Sequence, residues 1–250
     1  MKQSADMWRN EINMLRQLDH VGQRAKPTST MLTMQQMSVV KLIKHDASNL
    51  SLDLEYIGPD LAQPLDALRH SQLSKTTQHR IWTDVARGIE HIHARRIIHR
   101  DIKPKNILLG NDGRGAVICD FGVSAKVNEG TELETFNGGT PCYVPPEYLF
   151  NSPRGFECDI WAFGITMLFV LGLIPLPQGN WKIASIMQDL DVRQKMIDWL
   201  QEVRQVVKAV PDTLSPLRAM LAENPRKRIT AAALAEDPFL QPLTAQTLAA

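Results

Sequence analysis

The stretch IIHRDIKPKNILL (residues 97–109) sets Asp101, Lys103 and Asn106 on one short loop between two apolar runs. The apolar ends read as buried strands or strand-like runs. A polar loop held between buried segments costs desolvation unless its groups have partners or work to do. A second apolar run, AVICDFG (residues 116–122), ends in Asp120-Phe121-Gly122. Between the two lies GNDGRG (residues 110–115), whose Asn-Asp-Gly is turn chemistry suited to a hairpin. Antiparallel pairing across that turn would bring Asp101, Asn106 and Asp120 to the same end of the molecule.

The rest of the chain must build around this hairpin. From Asp6 to Leu18, Met7, Trp8, Ile12, Leu15 and Leu18 recur at helical spacing. Residues 22–36 are polar with one Pro and read as a loop. VVKLI (39–43) and LSLDLEYI (50–57) read as strands, the second with Leu50, Leu52, Leu54 and Tyr56 on one face. Gly58-Pro59-Asp60 breaks that strand. A helix is predicted over about 76–94, with Ile81, Trp82, Val85, Ile89 and Ile92 as its apolar stripe. Residues 123–146 are irregular and rich in Gly, Thr and Pro. Helices then follow over about 159–173 and 192–207, with a short piece after Thr230. The fold class is α+β: a small mixed lobe joined at Gly58-Pro59 to a mainly helical lobe.

Several function classes fall away. The formal net charge is +1, so the totals make no electrostatic case for nucleic acid or an anionic membrane. The apolar run from Ile165 to Pro177 is short and interrupted by Gly172, which favours a buried helix over a membrane span. The start, MKQSADMWRNE, carries no apolar signal core. Three cysteines, Cys119, Cys142 and Cys158, lack close metal-ligand spacing. An odd count without a signal peptide fits a reducing compartment, so the expected location is cytoplasmic or nuclear.

The three converging side chains define a chemistry. A carboxylate and an amide oxygen near each other suit a hard divalent cation such as Mg2+, which needs few protein ligands when phosphates and water complete its shell. Asp101 is left to accept a hydroxyl proton. Lys103 stands two residues on, where it can stabilise charge on a transferring phosphoryl group. That inventory suits phosphoryl transfer.

The chain resembles the eukaryotic-type protein kinase family, and within it the Ser/Thr group. His99-Arg100-Asp101 with Asn106 matches the catalytic-loop signature, and Asp120-Phe121-Gly122 the metal-binding triplet. Pro145-Pro146-Glu147 stands where the family has Ala-Pro-Glu, a departure of one residue. DIWAFG (159–164) matches the family's Asp-x-Trp-x-x-Gly helix start, and Arg228 its late Arg, the partner of Glu147. The likeness runs from about Glu11 to Phe239. It implies ATP and Mg2+ as cofactors and a protein Ser or Thr as acceptor, with Asp101, Lys103, Asn106 and Asp120 as catalytic residues. Asn106 and Asp120 would hold the metal. Thr140, in GTPCYVPPE, would hydrogen-bond Asp101 and Lys103. Asp159 could cap its helix, and in the family it also holds the catalytic-loop backbone.

The resemblance also implies a nucleotide pocket. Leu54 would be the gatekeeper, Glu55 and Ile57 would offer backbone groups to adenine, Asp60 would reach the ribose, and Leu108 would form the floor. Cys119, just before the metal-binding Asp, would be open to thiol reagents or simply a small buried side chain. Glu11 resembles the helix Glu that pairs with a strand Lys, and Leu15 would pack toward Phe121 and His99. Arg100 often pairs with a phosphorylated activation-segment residue in the family. Thr131 and Thr135 are candidates here, Thr135 the better placed, which implies an upstream activating kinase.

One part of the family pattern is missing from the sequence. No Gly-rich loop and no Val-Ala-Ile-Lys strand precede the first helix. The fold expected is therefore kinase-like with a truncated small N-lobe: residues 1–57 as its remnant, 58–240 as the C-lobe and 241–250 as a tail. A lone hairpin is marginal in water, and Met7, Trp8 and Ile12 would face solvent. Three readings follow. The chain is an active Ser/Thr kinase whose beginning lies elsewhere. Alternatively it is a catalytically impaired pseudokinase or scaffold module. In the third, another basic residue, such as Lys2 or Lys105, or a partner chain replaces the strand Lys. The intact loop and triplet favour the first.

Overall fold

A computed structural model describes residues 2–19, 38–63, 65–110, 115–128, 138–150, 152–237 and 240. The predicted loop over 22–36, the hairpin tip, Thr131, Thr135, the side chain of Lys2 and the tail 241–250 lie outside the described residues.

The first helix, α1 (Lys2–Asp19), buries Ile12, Met14, Leu15 and Leu18. Strands β1 (Leu42–Asp46) and β2 (Ser51–Leu54) pair antiparallel, with an irregularity between Leu42 and Lys44. Helix α1 lies against this hairpin. The Trp8 indole donates to the Ser51 carbonyl at 3.0 Å and meets the His45 ring edge-on at 5.7 Å. The expectation that Met7, Trp8 and Ile12 would face solvent therefore needs correction. Ile12 is buried and Trp8, held against Ser51 and His45 of the hairpin, is half-buried; of the three, Met7 alone stays exposed.

Two strand predictions also shift. In VVKLI, Val39 and Val40 are buried, but Val39 makes only an isolated parallel bridge to Ile118. Its neighbours carry the bonds: Ile118 donates to the Ser38 carbonyl and Val40 to the Ile118 carbonyl, at 2.8 and 2.9 Å. In LSLDLEYI, the strand ends at Leu54, so the alternation ends too. Leu50 sits in the turn with φ 54°, and Tyr56 is 87% exposed.

Helix α2 (Lys75–Ala94) starts on Ser74, whose side chain accepts the Thr77 amide, and buries its predicted stripe. Strand β3 (Ile97–Ile98) precedes the catalytic-loop sequence. Strands β4 (Ile107–Gly110) and β5 (Gly115–Ile118) then form the hairpin inferred from sequence, in register from Ile107 with Ile118 to Gly110 with Gly115. Strand β6 (Ala125–Lys126) returns to pair with β3. Gly58 approaches this hairpin so closely that a Cβ would lie 2.2 Å from the Leu109 carbonyl oxygen. Pro59 and Asp60 then run beside β4, with the Leu109 amide bonded to the Pro59 carbonyl at 2.8 Å.

The large lobe is organised on α3 (Phe156–Val170), in which every residue from Cys158 to Val170 is buried. A helix apolar on all sides belongs in a core, which accounts for the Ile165 run. Helix α4 (Leu190–Ala209) buries Met196, Leu200 and Val203, and short helices α5 (Ser215–Met220) and α6 (Ala231–Ala235) complete the lobe. No helix among the described residues is long and apolar enough to cross a membrane.

Candidate active site

The loop between β3 and β4 makes a tight turn. Arg100 has φ 71°, and Asp120 at the far end of the hairpin has φ 67°. Left-handed backbone at non-Gly residues costs about 1–3 kcal/mol each and persists only where surroundings enforce it. At Arg100 the enforcing group is Asp159. Its carboxylate accepts the amides of His99 and Arg100, both at 2.8 Å, and lies 2.9 Å from His93 Nε2. Burial alone would push its carboxyl pKa up, but His93 and the His99 amide outweigh that and hold it below the usual range. Helix α3 begins at Phe156, after Gly155. Asp159 thus lies inside the helix, and its carboxylate serves the loop backbone rather than capping its own helix.

His99 joins the two ends of the hairpin. The Asp101 amide lies 3.3 Å from its Nδ1, so that nitrogen is the acceptor and Nε2 carries the proton toward the Cys119 carbonyl at 3.1 Å. The ring stands edge-on to Phe121, 4.8 Å between centroids.

The polar groups of the loop converge on Asp101. Lys103 Nζ donates to Asp101 Oδ2 at 2.7 Å and to Thr140 Oγ1 at 2.8 Å. Thr140 Oγ1 in turn donates to Asp101 Oδ1 at 2.7 Å. Asn106 Nδ2 donates to the Asp101 carbonyl at 2.9 Å and to Asp101 Oδ2 at 3.1 Å. Asp101 and Asn106 are both buried, so these bonds are stronger than the same contacts in water. The Cys119 amide bonds the Asn106 carbonyl at 3.0 Å. That bond sets Cys119, the residue before Asp120, beside Asn106, and the Asp120 side chain is exposed.

Helix α1 reaches the same place from the other side. Asn10 Nδ2 lies 3.2, 3.1 and 2.8 Å from the carbonyls of Phe121, Gly122 and Ser124. Glu11 accepts the Phe121 amide at 3.4 Å. Burial, then the charge of Asp120, raises the Glu11 carboxyl above its ordinary value. Among the described residues Glu11 has no cationic partner within ion-pair distance.

Of the residues expected to line a nucleotide pocket, Leu54 and Leu108 pack against the core and Ile57 is buried. The Glu55 amide donates to the Lys41 carbonyl, and its carboxylate accepts the Lys41 amide at 2.9 Å. Asp60 pairs with Leu108 across an isolated bridge and accepts the Ala62 amide at 2.9 Å. Burial, reinforced by nearby carboxylates, pushes the Cys119 thiol up to about 12. It is a protonated packing group rather than a reactive thiolate.

Beyond the catalytic loop, Arg228 forks onto Glu147 at 2.8 and 3.0 Å and also donates to the carbonyls of Glu157 and Ala222. Sequence reading missed Arg154. This buried residue donates to the Gly138 carbonyl at 2.6 Å and the Arg100 carbonyl at 3.3 Å, tying the Thr140 segment to the catalytic loop. Nothing local distinguishes it from a surface Arg. Asn10 was also missed, although its place beside Glu11 on the helix was the available signal.

This arrangement is that of a protein kinase domain, whose family model matches residues 2–240; the chain belongs to that family. It is similar to the serine/threonine-protein kinase Nek6 of Oryza sativa subsp. japonica, 30% identical over 193 residues, which are 76% of this chain and 34% of that protein. The serine/threonine-protein kinase Nek5 of Mus musculus is 29% identical over 207 residues, 80% of this chain and 31% of that protein. The MAP kinase kinase MKK1/SSP32 of Saccharomyces cerevisiae is 37% identical over 130 residues, 49% of this chain and 24% of that protein. The chain thus matches between about a quarter and a third of the length of these relatives.

Proposed function

We propose that the chain is a Ser/Thr protein kinase that transfers the γ-phosphate of ATP to a protein Ser or Thr hydroxyl. The observation that carries this reading is the closed triangle of Asp101, Lys103 and Thr140. A side-chain hydroxyl already donates to Asp101 there, which is the contact an acceptor alcohol needs. Asp101 would take the acceptor's proton, and Lys103 would stabilise charge on the transferring group. Both amide hydrogens of Asn106 are committed to Asp101, which leaves its Oδ1 to join the Asp120 carboxylate. Those two hard oxygens fit Mg2+, which when bound would neutralise phosphate charge.

The same proposal gives Glu55, Ile57 and Asp60 to the nucleoside and Leu54 and Leu108 to the walls of its pocket. It makes Arg100 the site that pairs with Thr135 after an upstream kinase has phosphorylated it. It takes 1–57 and 58–240 as the two lobes, in a cytoplasmic or nuclear protein.

A second reading, a binding or scaffold module, rests on Glu11. Its carboxylate lies against the Phe121 amide with no cation beside it among the described residues. Phosphate transfer to a generic Ser/Thr protein substrate separates the two. Wild type is expected to be active, with Asp101→Asn and Asp120→Asn each lower by about 100-fold or more. Magnesium-dependent ATP binding in a thermal-shift assay without transfer would favour the scaffold.

A further inference from the structure

We propose that Lys105 makes this site select acceptor residues flanked by carboxylates; the inference rests on the kinase reading and assigns it a substrate class. A groove of about 650 Å³ opens directly beside the Asp101 triangle, lined by Lys103, Pro104, Lys105, Thr140, Tyr143 and the 176–180 segment. Its two cations differ. Lys103 is half-buried and committed to Asp101 and Thr140. Lys105 is exposed and makes no hydrogen bond or ion pair with any described residue. No Asp or Glu is among the described residues that line the groove, and its other polar side chains include the amides of Gln178 and Asn180.

Among the described residues, the groove therefore carries one cation without a compensating charge, beside the Asp101 triangle. An extended peptide advances about 3.3 Å per residue. With its Ser or Thr at Asp101, the residues two or three positions away fall within this groove. A Glu or Asp there meets Lys105 and amide donors. A Lys or Arg there meets a like charge, a pattern that discriminates between partners.

The chain's own sequence supplies a probe of this class. Residues 127–137, VNEGTELETFN, place Glu129, Glu132 and Glu134 around Thr131 and Thr135. Fluorescently labelled peptides of this sequence, and versions with all three Glu replaced by Gln or by Lys, would be titrated with the full chain. Anisotropy reads binding, and phosphate transfer is followed in parallel. The Glu peptide is expected to bind about fivefold more tightly than the Gln peptide, with the Lys peptide weakest. The advantage should shrink as salt rises through the range that screens exposed charges. Lys105→Gln should remove the preference, and Lys105→Glu should reverse it.

The same ranking of the three peptides by wild type and Lys105→Glu would overturn the proposal, as would a wild-type preference for the Lys peptide. A Lys105-dependent preference in binding without any transfer supports the groove assignment while sinking the kinase activity. Transfer that is indifferent to the flanking charge does the opposite.

Discussion

On the large-lobe side of the cleft, two carboxylates are almost wholly buried, and each is surrounded by donors. Asp159, 1% exposed, accepts two backbone amides of the catalytic loop and faces His93; Glu147, 6% exposed, receives both arms of Arg228. On the other side, α1 meets the Asp120 segment through Asn10 and Glu11, part-buried residues whose contacts run from 2.8 to 3.4 Å. The first arrangement fixes geometry, because no buried charge there can move without losing its partners. The second adjusts at little cost. The cleft therefore has one rigid wall, on the large-lobe side, and one softer wall, where α1 meets the Asp120 segment.

The largest effect should come from breaking the rigid wall. Arg228→Ala would leave Glu147 buried without its cation, which costs about 3–5 kcal/mol. Equilibrium urea unfolding reads this directly. A double variant, Glu147→Met with Arg228→Met, should recover part of the loss, since neither charge then remains. A cost below about 1 kcal/mol for Arg228→Ala would mean that the large-lobe wall is no stiffer than the other.

The same contrast explains what could be read from the sequence. The β4–β5 hairpin and the α2 stripe were legible because both follow from local period and turn chemistry. The Asp101 triangle was legible only in part. Lys103 and Asn106 sit on one loop with Asp101, whereas Thr140 is 39 residues away and entered through the family resemblance. Arg154 left no trace, since its partners Arg100 and Gly138 meet it only after α3 has folded beneath the loop. Strand limits went wrong at Val39 and Tyr56 for another reason. Both continue an apolar pattern, but one is covered by β5 and the other has no neighbouring strand among the described residues to continue the ladder.

A smaller effect should separate docking from folding on the softer wall. Asn10→Ala removes the donors to Phe121, Gly122 and Ser124. A part-buried bond of this kind contributes about 0.5–1.5 kcal/mol, so the melting temperature should fall only slightly. Magnesium-ATP affinity, measured by calorimetry, should fall by several-fold, because these carbonyls carry the backbone of the Asp120 segment. Lost stability with unchanged nucleotide affinity would make Asn10 a strut and not a positioning residue.

The smallest effect has the opposite sign. Glu11 is raised above its ordinary value of 4.5 by burial and then by Asp120, so the folded state holds its proton to higher pH than the unfolded state. Between the two values folding takes up a proton, and stability falls as pH rises. Above both, the penalty is complete. Asp159 behaves inversely. Its lowered value makes its contribution complete above 3.8 and lost as pH falls through the folded value. Glu11→Gln keeps an oxygen for the Phe121 amide and removes the charge. It should therefore stabilise the protein at pH 7 by a few tenths of a kcal/mol, the scale of one like-charge contact. The gain should fade as pH approaches 4.5. Thermal melts of wild type and Glu11→Gln at pH 7 and pH 4.5 decide it. A loss of stability at pH 7 would show that the Glu11 charge has a cationic partner, and the softer wall would then be held by an ion pair like the rigid one.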